Sequence, residues 1–541
     1  MTGLLLALRS VAVLALTVSA AAFAGSCPAG NPLSAIRNGT VPDGQHVTVT
    51  ATLVGRFPGR GGLDGFYLQQ STDGGPPSGL FVYTPGRGGP AIPAVGTRVS
   101  VRGRVGEYQG STQLEWVSVI HHCGRTAPRT TTLTLPASRK RLARLAGTRV
   151  SLAGPLTVSD NHDLAHWGTL GLAVGGRLFH PDTGVRGGRP AGVLLDDGSD
   201  AVNPTPTPYL DDQGTRRVGD TVTSLTGILA RRYGHWRIYP VLPVRFRRSN
   251  PRPEPPTRSR GLRLVSFNLH NFFQSLDGRG ATTEAARRRQ RERLQRVTAA
   301  LNADVLALQE IENRPGAMTA LLGLLNHSRE DGPYAGAVGA VRVGDGVIRT
   351  AIVYRRDRVA LEDVDILDEP VHDRAPIRAV FRTESGRRLA VVVVHFKSKG
   401  GCPADQPAPG PEGCWSGRRA RQAASLAQWL RNENGDPVAT YVLGDFNSYA
   451  QERAPRRLAA AGFEDLVAAE VPPAQRYSYV YRGRSGYLDY AFANGPGVDR
   501  VRSVSVWHIN ADEPPFAAGE GPWRSSDHDP VIVDIGDGYG N

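Results

Sequence analysis

From residue 31 to about 250, apolar and polar positions alternate in short runs broken by Gly and Pro. "HVTVTATLVG" and "TRVSVRGRVGEY" are examples. A period of two between turn residues predicts half-buried strands. Helical spacing is scarce there; "ASRKRLARLAG" predicts one short helix, and the region reads as all-β. After residue 261 the texture changes. Apolar strand-like runs ("LRLVSFN", "DVLALQE", "RLAVVVVHF", "ATYVLGDFN") alternate with helical stretches ("TEAARRRQRERLQRVTAALNA", "PGAMTALLGLLN", "RRARQAASLAQWLRN", "RAPRRLAAAG"). In the first helical stretch Leu294, Val297 and Leu301 repeat at i, i+3 and i+7, so "RRRQRER" is read as its solvated face. Such alternation predicts a layered α/β domain.

The all-β region contains an internal echo. "AVGTRVSVRGRVGEYQGSTQLEWVSVI" and "RVGDTVTSLTGILARRYGHWRIYPVLP" share one order: Val-Gly, strand, Gly, strand, short turn, strand with Trp. Two copies of one small barrel, over 31–126 and 145–246, are the natural inference. "RRSNPRPEPPTRSRG", 247–261, holds four prolines and five arginines and reads as a linker. The α/β domain then occupies 262–537. At the N-terminus one arginine, an apolar run and the small residues Ala22 and Ala24 predict a secretory leader over 1–24. An exported, extracellular protein is therefore expected, with no membrane association once the leader is removed.

Export changes how the four cysteines are read. Cys402 and Cys414 bracket a Pro/Gly loop, which a local disulfide would staple. Cys27 would then pair with Cys123, although three pairings are formally possible. The net charge of +14 comes almost wholly from arginine; the lysines are Lys140, Lys397 and Lys399. Such a balance favours polyanions, nucleic acid first among them.

Candidate chemistry lies at the ends of the strand runs, where open α/β sheets place their sites. "VSFNLHNFF", "ALQEIEN", "VVVVHFKSKG", "VLGDFNSY", "GYLDYAFAN" and "SSDHDPVIV" offer Asn268, Glu310, His395, Asp445, Asn447, Asp489, Asp527 and His528. Singly, each has an ordinary reading as a turn former, helix cap or satisfied strand-end histidine. Together they form an oxygen-rich donor set without cysteine. That set suits Mg²⁺, with Mn²⁺ or Ca²⁺ as alternatives, better than zinc. Acids, amides, histidines and a hard cation are the ingredients of phosphoester hydrolysis.

These blocks, in this order, resemble the endonuclease/exonuclease/phosphatase superfamily, whose fold is a four-layered α/β sandwich like that of pancreatic deoxyribonuclease. The resemblance covers about 262–536. "HFKSKG", "GDFNSYAQE", "YLDYAFAN" and "HINADEPP" are more similar still to its bacterial extracellular nuclease branch. The upstream modules resemble the OB-fold barrels found ahead of such domains. The resemblance implies that Glu310 binds the metal with Asn268 and Asp527. Asp445 would hold the attacking water and Asn447 the phosphate. His528 would act with Asp489, His395 would contact the scissile phosphate, and Asp529 would be a turn residue. Two of three lysines fall in one block, so Lys397 is expected to bind substrate; Arg349, in mid-strand, is expected to face the cleft.

The resulting expectation is a secreted, monomeric, divalent-metal-dependent nuclease, endonucleolytic on DNA. Two rivals stand beside it. One is a phosphoesterase of the same fold acting on a lipid or inositol phosphate, although no aromatic hairpin for membrane insertion is visible in the sequence. The other is a non-catalytic nucleic-acid-binding protein.

Overall fold

The computed structural model describes residues 27–541 except 60, 72–74, 86–90, 277, 328–333, 403–409, 432–437, 517–519 and 538–541. The expected leader, 1–24, lies outside the described residues. Among those residues no helix is long and apolar enough to cross a membrane.

The first strand, His46–Phe57, turns Val47, Val49, Ala51 and Leu53 inward, as its alternation predicts. Its first half pairs with Thr97–Tyr108 and its second half with Gly65–Gln70. Ser78–Tyr83 and Ser111–Arg125 complete a closed five-stranded barrel. A disulfide joins Cys27 to Cys123, and another joins Cys402 to Cys414.

The second unit repeats this pairing with its first strand broken. Arg149–Leu152 pairs with Thr226–Arg232, while Leu156–Asp160 pairs with Thr169–Val174. Arg189–Asp196 runs antiparallel to Thr169–Val174 and parallel to His235–Pro240. Ser78–Tyr83 has the same two relationships in the first barrel. The unit begins earlier than residue 145. Thr131–Leu133 adds a parallel strand beside Arg149–Leu152, and the helix Arg139–Leu145 buries Leu142 and Leu145 in the unit's core. Phe57, Tyr67 and Phe81 of the first barrel meet Ile228, Ala230 and Tyr239 of the second in a small apolar cluster.

The stretch 247–261 is fastened rather than loose. Arg263 donates to Pro256 O and Thr257 O, the Trp507 indole donates to Pro253 O, and Arg258 pairs with Asp304.

Beyond it lie two six-stranded sheets. One contains the neighbours Val305–Glu312, Leu262–Phe272 and Val531–Ile535; the other contains Arg388–His395, Ala439–Asp445 and Asp489–Ala493. Alternation sorts the first sheet's side chains. Val305 and Ala307 face the second sheet, whereas Leu306 and Leu308 face the helices Glu284–Leu301 and Pro315–Asn326. Ala423 and Leu426 of the helix Ser416–Arg431 cover the second sheet. The order helix, sheet, sheet, helix follows. Thr283 caps Glu284–Leu301 by accepting from Ala286 N, and Asn302 ends it in the left-handed conformation.

Candidate active site

Neighbouring strands of both sheets end together, and their polar residues converge there. His395 and Asp445 are paired across parallel strands, and Asp489 is paired with Asp445 across antiparallel ones. Close approach is needed just before that point. A Cβ on Gly444 would lie 2.0 Å from Val394 O, and its φ of +152° disfavours a side chain. In the other sheet the pairing is irregular on both sides of Glu310, between Asn268 and Phe272 and between Leu308 and Ile311. Glu310 itself is left-handed at φ +61°. Backbone strain at a non-glycine residue requires firm support and is typical of functional positions. Here Asn271 N donates to Glu310 Oε2 at 2.9 Å and Asn268 Nδ2 to Oε1 at 3.2 Å.

Asp445 is the hub. Its Oδ2 accepts from Asn268 Nδ2 at 3.3 Å and Asn447 Nδ2 at 3.1 Å, and its Oδ1 accepts from Asn447 N at 2.7 Å. His395 Nε2 lies 3.5 Å from that Oδ2 and His528 Nε2 4.0 Å from it. His528 Nδ1 lies 2.7 Å from Asp489 Oδ2, which also accepts from Ser478 Oγ at 2.5 Å. Ser526 ties the block to the first sheet by donating to Asn268 O at 2.7 Å and accepting from His528 N. Asp529 faces away, accepting from Asn510 N and Ala511 N and lying 3.0 Å from His508 Nδ1, which suits a turn residue.

Charge explains the titration of these groups. Burial raises the Asp445 carboxyl, and the neighbouring carboxylates Asp489 and Glu310 add to that rise against the opposing His528. Burial disfavours a charged His528, but Asp489, Asp527 and Asp445 outweigh it and hold its pKa well above the ordinary value. Burial raises the Asp527 carboxyl, yet His528, His270 and Arg524 bring it below the usual range. His395 is driven well below by burial and by the cations around it, Arg374 first. Its Nδ1 is buried without a hydrogen-bond partner.

The residues available to a cation are oxygen donors with the imidazoles of His528 and His395 beside them. Ligand atoms of Asp445, Asp489 and His528 lie within 4.8 Å of one another. Glu310 and Asn268 adjoin Asp445 through the hydrogen bonds above, and Asp527 joins on the far side of Ser526, 3.4 Å from its Oγ. Asp489 and Glu310 stand close enough to Asp445 for their charges to oppose its ionisation, so several carboxylates share one buried space. A hard cation fits that donor set.

Arg349 departs from expectation. Every position of Ile348–Tyr354 is buried, so no alternation reveals which way a side chain faces. Its guanidinium donates to Thr350 O and Val341 O, and burial lowers its pKa to about 10; among the described residues it makes no hydrogen bond to a site residue. Lys397 lies 5.2 Å over the Trp415 ring at the end of the His395 strand. Glu312 holds Gln274 N and Ser275, while Asn313 holds the backbone of Val343 and Gly346, both shaping loops.

Three neighbours went unread. Ser478 orients Asp489. Arg374, buried, donates to Phe396 O and feels the charges of Asp445 and Glu310. The hairpin Tyr479–Tyr481/Arg484–Gly486 stands beside His528, its Tyr479 ring 4.7 Å from the imidazole and its Tyr481 half exposed. The hairpin corrects the expectation of no aromatic hairpin, but its tip pairs Tyr481 with Arg482 instead of a second apolar residue. Only the spacing of Tyr479 and Tyr481 in "YSYVYRGRSGY" hinted at it.

Residues 265–528 match the model of the Endonuclease/Exonuclease/phosphatase family. No curated protein sequence matches the chain. Similar solved structures include a humanized D. rerio TDP2 carrying 14 mutations, 18% identical, covering 51% of this chain and 98% of that one at a TM-score of 0.36. The human Nocturnin catalytic domain with bound sulfate is 17% identical, covering 51% and 92% at 0.35. The mannosyl-6-phosphatase of Bacteroides thetaiotaomicron is 15% identical, covering 51% and 99% at 0.37.

Proposed function

We propose, from the premise that residues 265–528 are an Endonuclease/Exonuclease/phosphatase family domain, that this chain is an exported, divalent-metal-dependent nuclease cutting DNA internally. The observation that carries the hydrolytic reading is the convergence of Asp445, Asp489 and His528 beside Asn268 and Glu310. Glu310, Asn268 and Asp527 would hold Mg²⁺, with Mn²⁺ or Ca²⁺ as substitutes. When bound, such a cation neutralises a phosphate oxygen and the leaving oxygen.

The chain's own residues supply the rest. With Nδ1 engaged by Asp489, His528 presents Nε2 toward the space beside Asp445. With the imidazole held charged by Asp489, Asp527 and Asp445, that nitrogen would serve the reacting phosphate as charge stabiliser or proton donor. Asp445, held by two amide side chains, would orient the attacking water. Asn447 and His395 line the same space and would bind the phosphate, with Lys397 further along the strand end as a substrate contact.

Net charge favours a polyanionic substrate over a lipid, and Arg482 at the hairpin tip suits a phosphate backbone. The two upstream units are read as OB-type barrels on the strength of their repeated pairing order. Export is supported by the leader-like sequence and two disulfides. The test is nicking of supercoiled plasmid by the mature protein, with and without chelator, against linear DNA, RNA and a choline-headgroup lipid. Chelator-sensitive nicking supports the reading; lipid hydrolysis with intact plasmid overturns it.

A further inference from the structure

Two buried carboxylates, Asp512 and Glu513, take no direct part in the site described above, yet two arginines of the second unit, the buried Arg217 and the largely buried Arg177, are turned onto them. Arg177 Nη1 lies 2.6 Å from Asp512 Oδ1 and Nη2 3.2 Å from Oδ2. Arg217 donates to Glu513, to Asp512 at 3.4 Å and to His508 O at 2.7 Å. Arg252, in the linker stretch, grips both oxygens of Glu513. Asn161 Nδ2 donates to Asp512 O at 2.9 Å. The arginines hydrogen-bonded to these two acids, Arg177, Arg217 and Arg252, lie upstream of residue 262, while Arg293 of the α/β domain acts on Glu513 through its charge. A buried carboxylate without its cation is costly, so the loop 508–513 depends on residues outside its own domain to keep this shape.

That loop leads to the reacting groups. Tyr477 Oη donates to Asp512 Oδ2 at 2.8 Å, and its ring lies 4.1 Å from the Arg177 guanidinium on one contact and 3.8 Å from the His508 ring in another. His508 Nδ1 is 3.0 Å from Asp529 Oδ2. Asn510 Nδ2 donates to His528 O at 2.7 Å. The residue after Tyr477 is Ser478, whose carbonyl accepts from Asp529 N and whose hydroxyl donates to Asp489. Both members of the His528–Asp489 pair are therefore seated on segments clamped by Arg177 and Arg217.

We infer that Arg177 and Arg217 are positioning residues for the His528–Asp489 pair, making the second barrel unit an integral part of the catalytic apparatus. This rests on the hydrolase reading for its kinetic consequence but not for its structural one. Contact alone does not demonstrate such coupling; a response of the pair to loss of the arginines does.

The experiment uses the full chain with ¹⁵N-labelled histidine. The imidazole N–H signal of His528 Nδ1 is assigned by its loss in Asp489→Asn, then followed in Arg177→Met and Arg217→Met, with Arg245→Met, an exposed arginine of the same unit, as control. The expected result is a shifted or broadened signal in the first two and an unchanged one in the control. Plasmid nicking should fall between about ten- and a hundredfold in kcat, as displacement of a reacting group does, with KM within about twofold. Folded variants with the native signal and native kcat would reduce the arginines to glue between units and overturn the inference. Should the Met variants fail to fold, Arg177→Lys keeps the charge and loses the fork; a native signal and kcat in that folded variant overturn the inference equally. If no variant nicks DNA, wild type included, but the signal still responds, the nuclease reading fails and the positioning role stands.

Discussion

His528 Nδ1 sits 2.7 Å from Asp489 Oδ2, and a second hydrogen bond from Ser478 fixes the carboxylate. The first partner sets which imidazole nitrogen faces the substrate, and the second sets where the carboxylate points. Asp489→Asn keeps the shape and offers His528 the wrong partner. We expect nicking to fall by about 10²–10⁴-fold, the range of a lost proton-transfer group, with DNA binding retained. Single-turnover nicking and filter binding on the same preparation check this. Equal losses in both would mean that the pair holds substrate instead.

Removing the cation should act on the other side of Asp445. Chelator is expected to abolish nicking, and Mg²⁺ or Mn²⁺ to restore it. Glu310→Gln keeps the side chain's shape at the left-handed position and one of its two accepted hydrogen bonds, and removes one charge from the donor set. It should weaken Mg²⁺ binding, read by calorimetry, with a melting temperature close to wild type. Unchanged Mg²⁺ affinity would move the site to the Asp445, Asp489 and His528 cluster.

Lys397 lies beyond the crowded carboxylates, with Trp415 under its ammonium. If that ammonium meets a phosphate, Lys397→Ala weakens DNA binding across sequences and reduces the slope of log K against log salt by about one. A titration of binding against salt measures it. An unchanged slope would leave Lys397 as a loop charge stacked on Trp415.

Much of this domain was legible because local pattern and tertiary role coincide. Leu306 and Leu308 alternate with Val305 and Ala307 between two packing partners, and that period is written in "DVLALQE". Asn268, Glu310, Asp445, Asp489 and His528 declared themselves as polar residues at the ends of apolar runs. Arg349 could not be read because its strand is buried on both faces, so position along it says nothing about direction. Arg177 and Arg217 were silent for another reason. Their partners lie 335 and 296 residues away, and no periodicity links an arginine to a carboxylate at that range. The linker composition of 247–261 likewise conceals the carbonyls that Arg263 and Trp507 use.

The Cys27–Cys123 bond closes a loop of sequence separation 96 around the first barrel. On a chain-entropy basis such a loop contributes about 4–5 kcal/mol, against about 3 kcal/mol for the short Cys402–Cys414 loop. Cys27→Ser with Cys123→Ser should therefore lower the melting of the first barrel more than Cys402→Ser with Cys414→Ser affects the α/β domain. Differential scanning calorimetry of the two double variants reads this directly. The reverse order would show that the short staple constrains more than its own loop.

Acid should loosen the clamp between the second β unit and the α/β domain. Burial alone would raise the Asp512 carboxyl, but Arg177 and Arg217 overcome it and bring its pKa from 3.8 down to about 2; Glu513 is lowered as well by Arg252 and Arg217 against burial. A carboxyl depressed by folding contributes stability that is complete above its unfolded pKa, about 3.9, and is lost as pH falls through its folded value. The shift corresponds to about 2 kcal/mol, roughly half of it gone by pH 3. Asp512→Asn removes the titration, so wild type should melt well above the variant at pH 7 and the gap should narrow steadily between about pH 4 and pH 2. Thermal melts of both proteins across that range measure the gap. A gap that stays constant as the solution is acidified would mean that the arginines stabilise a neutral Asp512 as well as a charged one, and the ion-pair account of the clamp would fall.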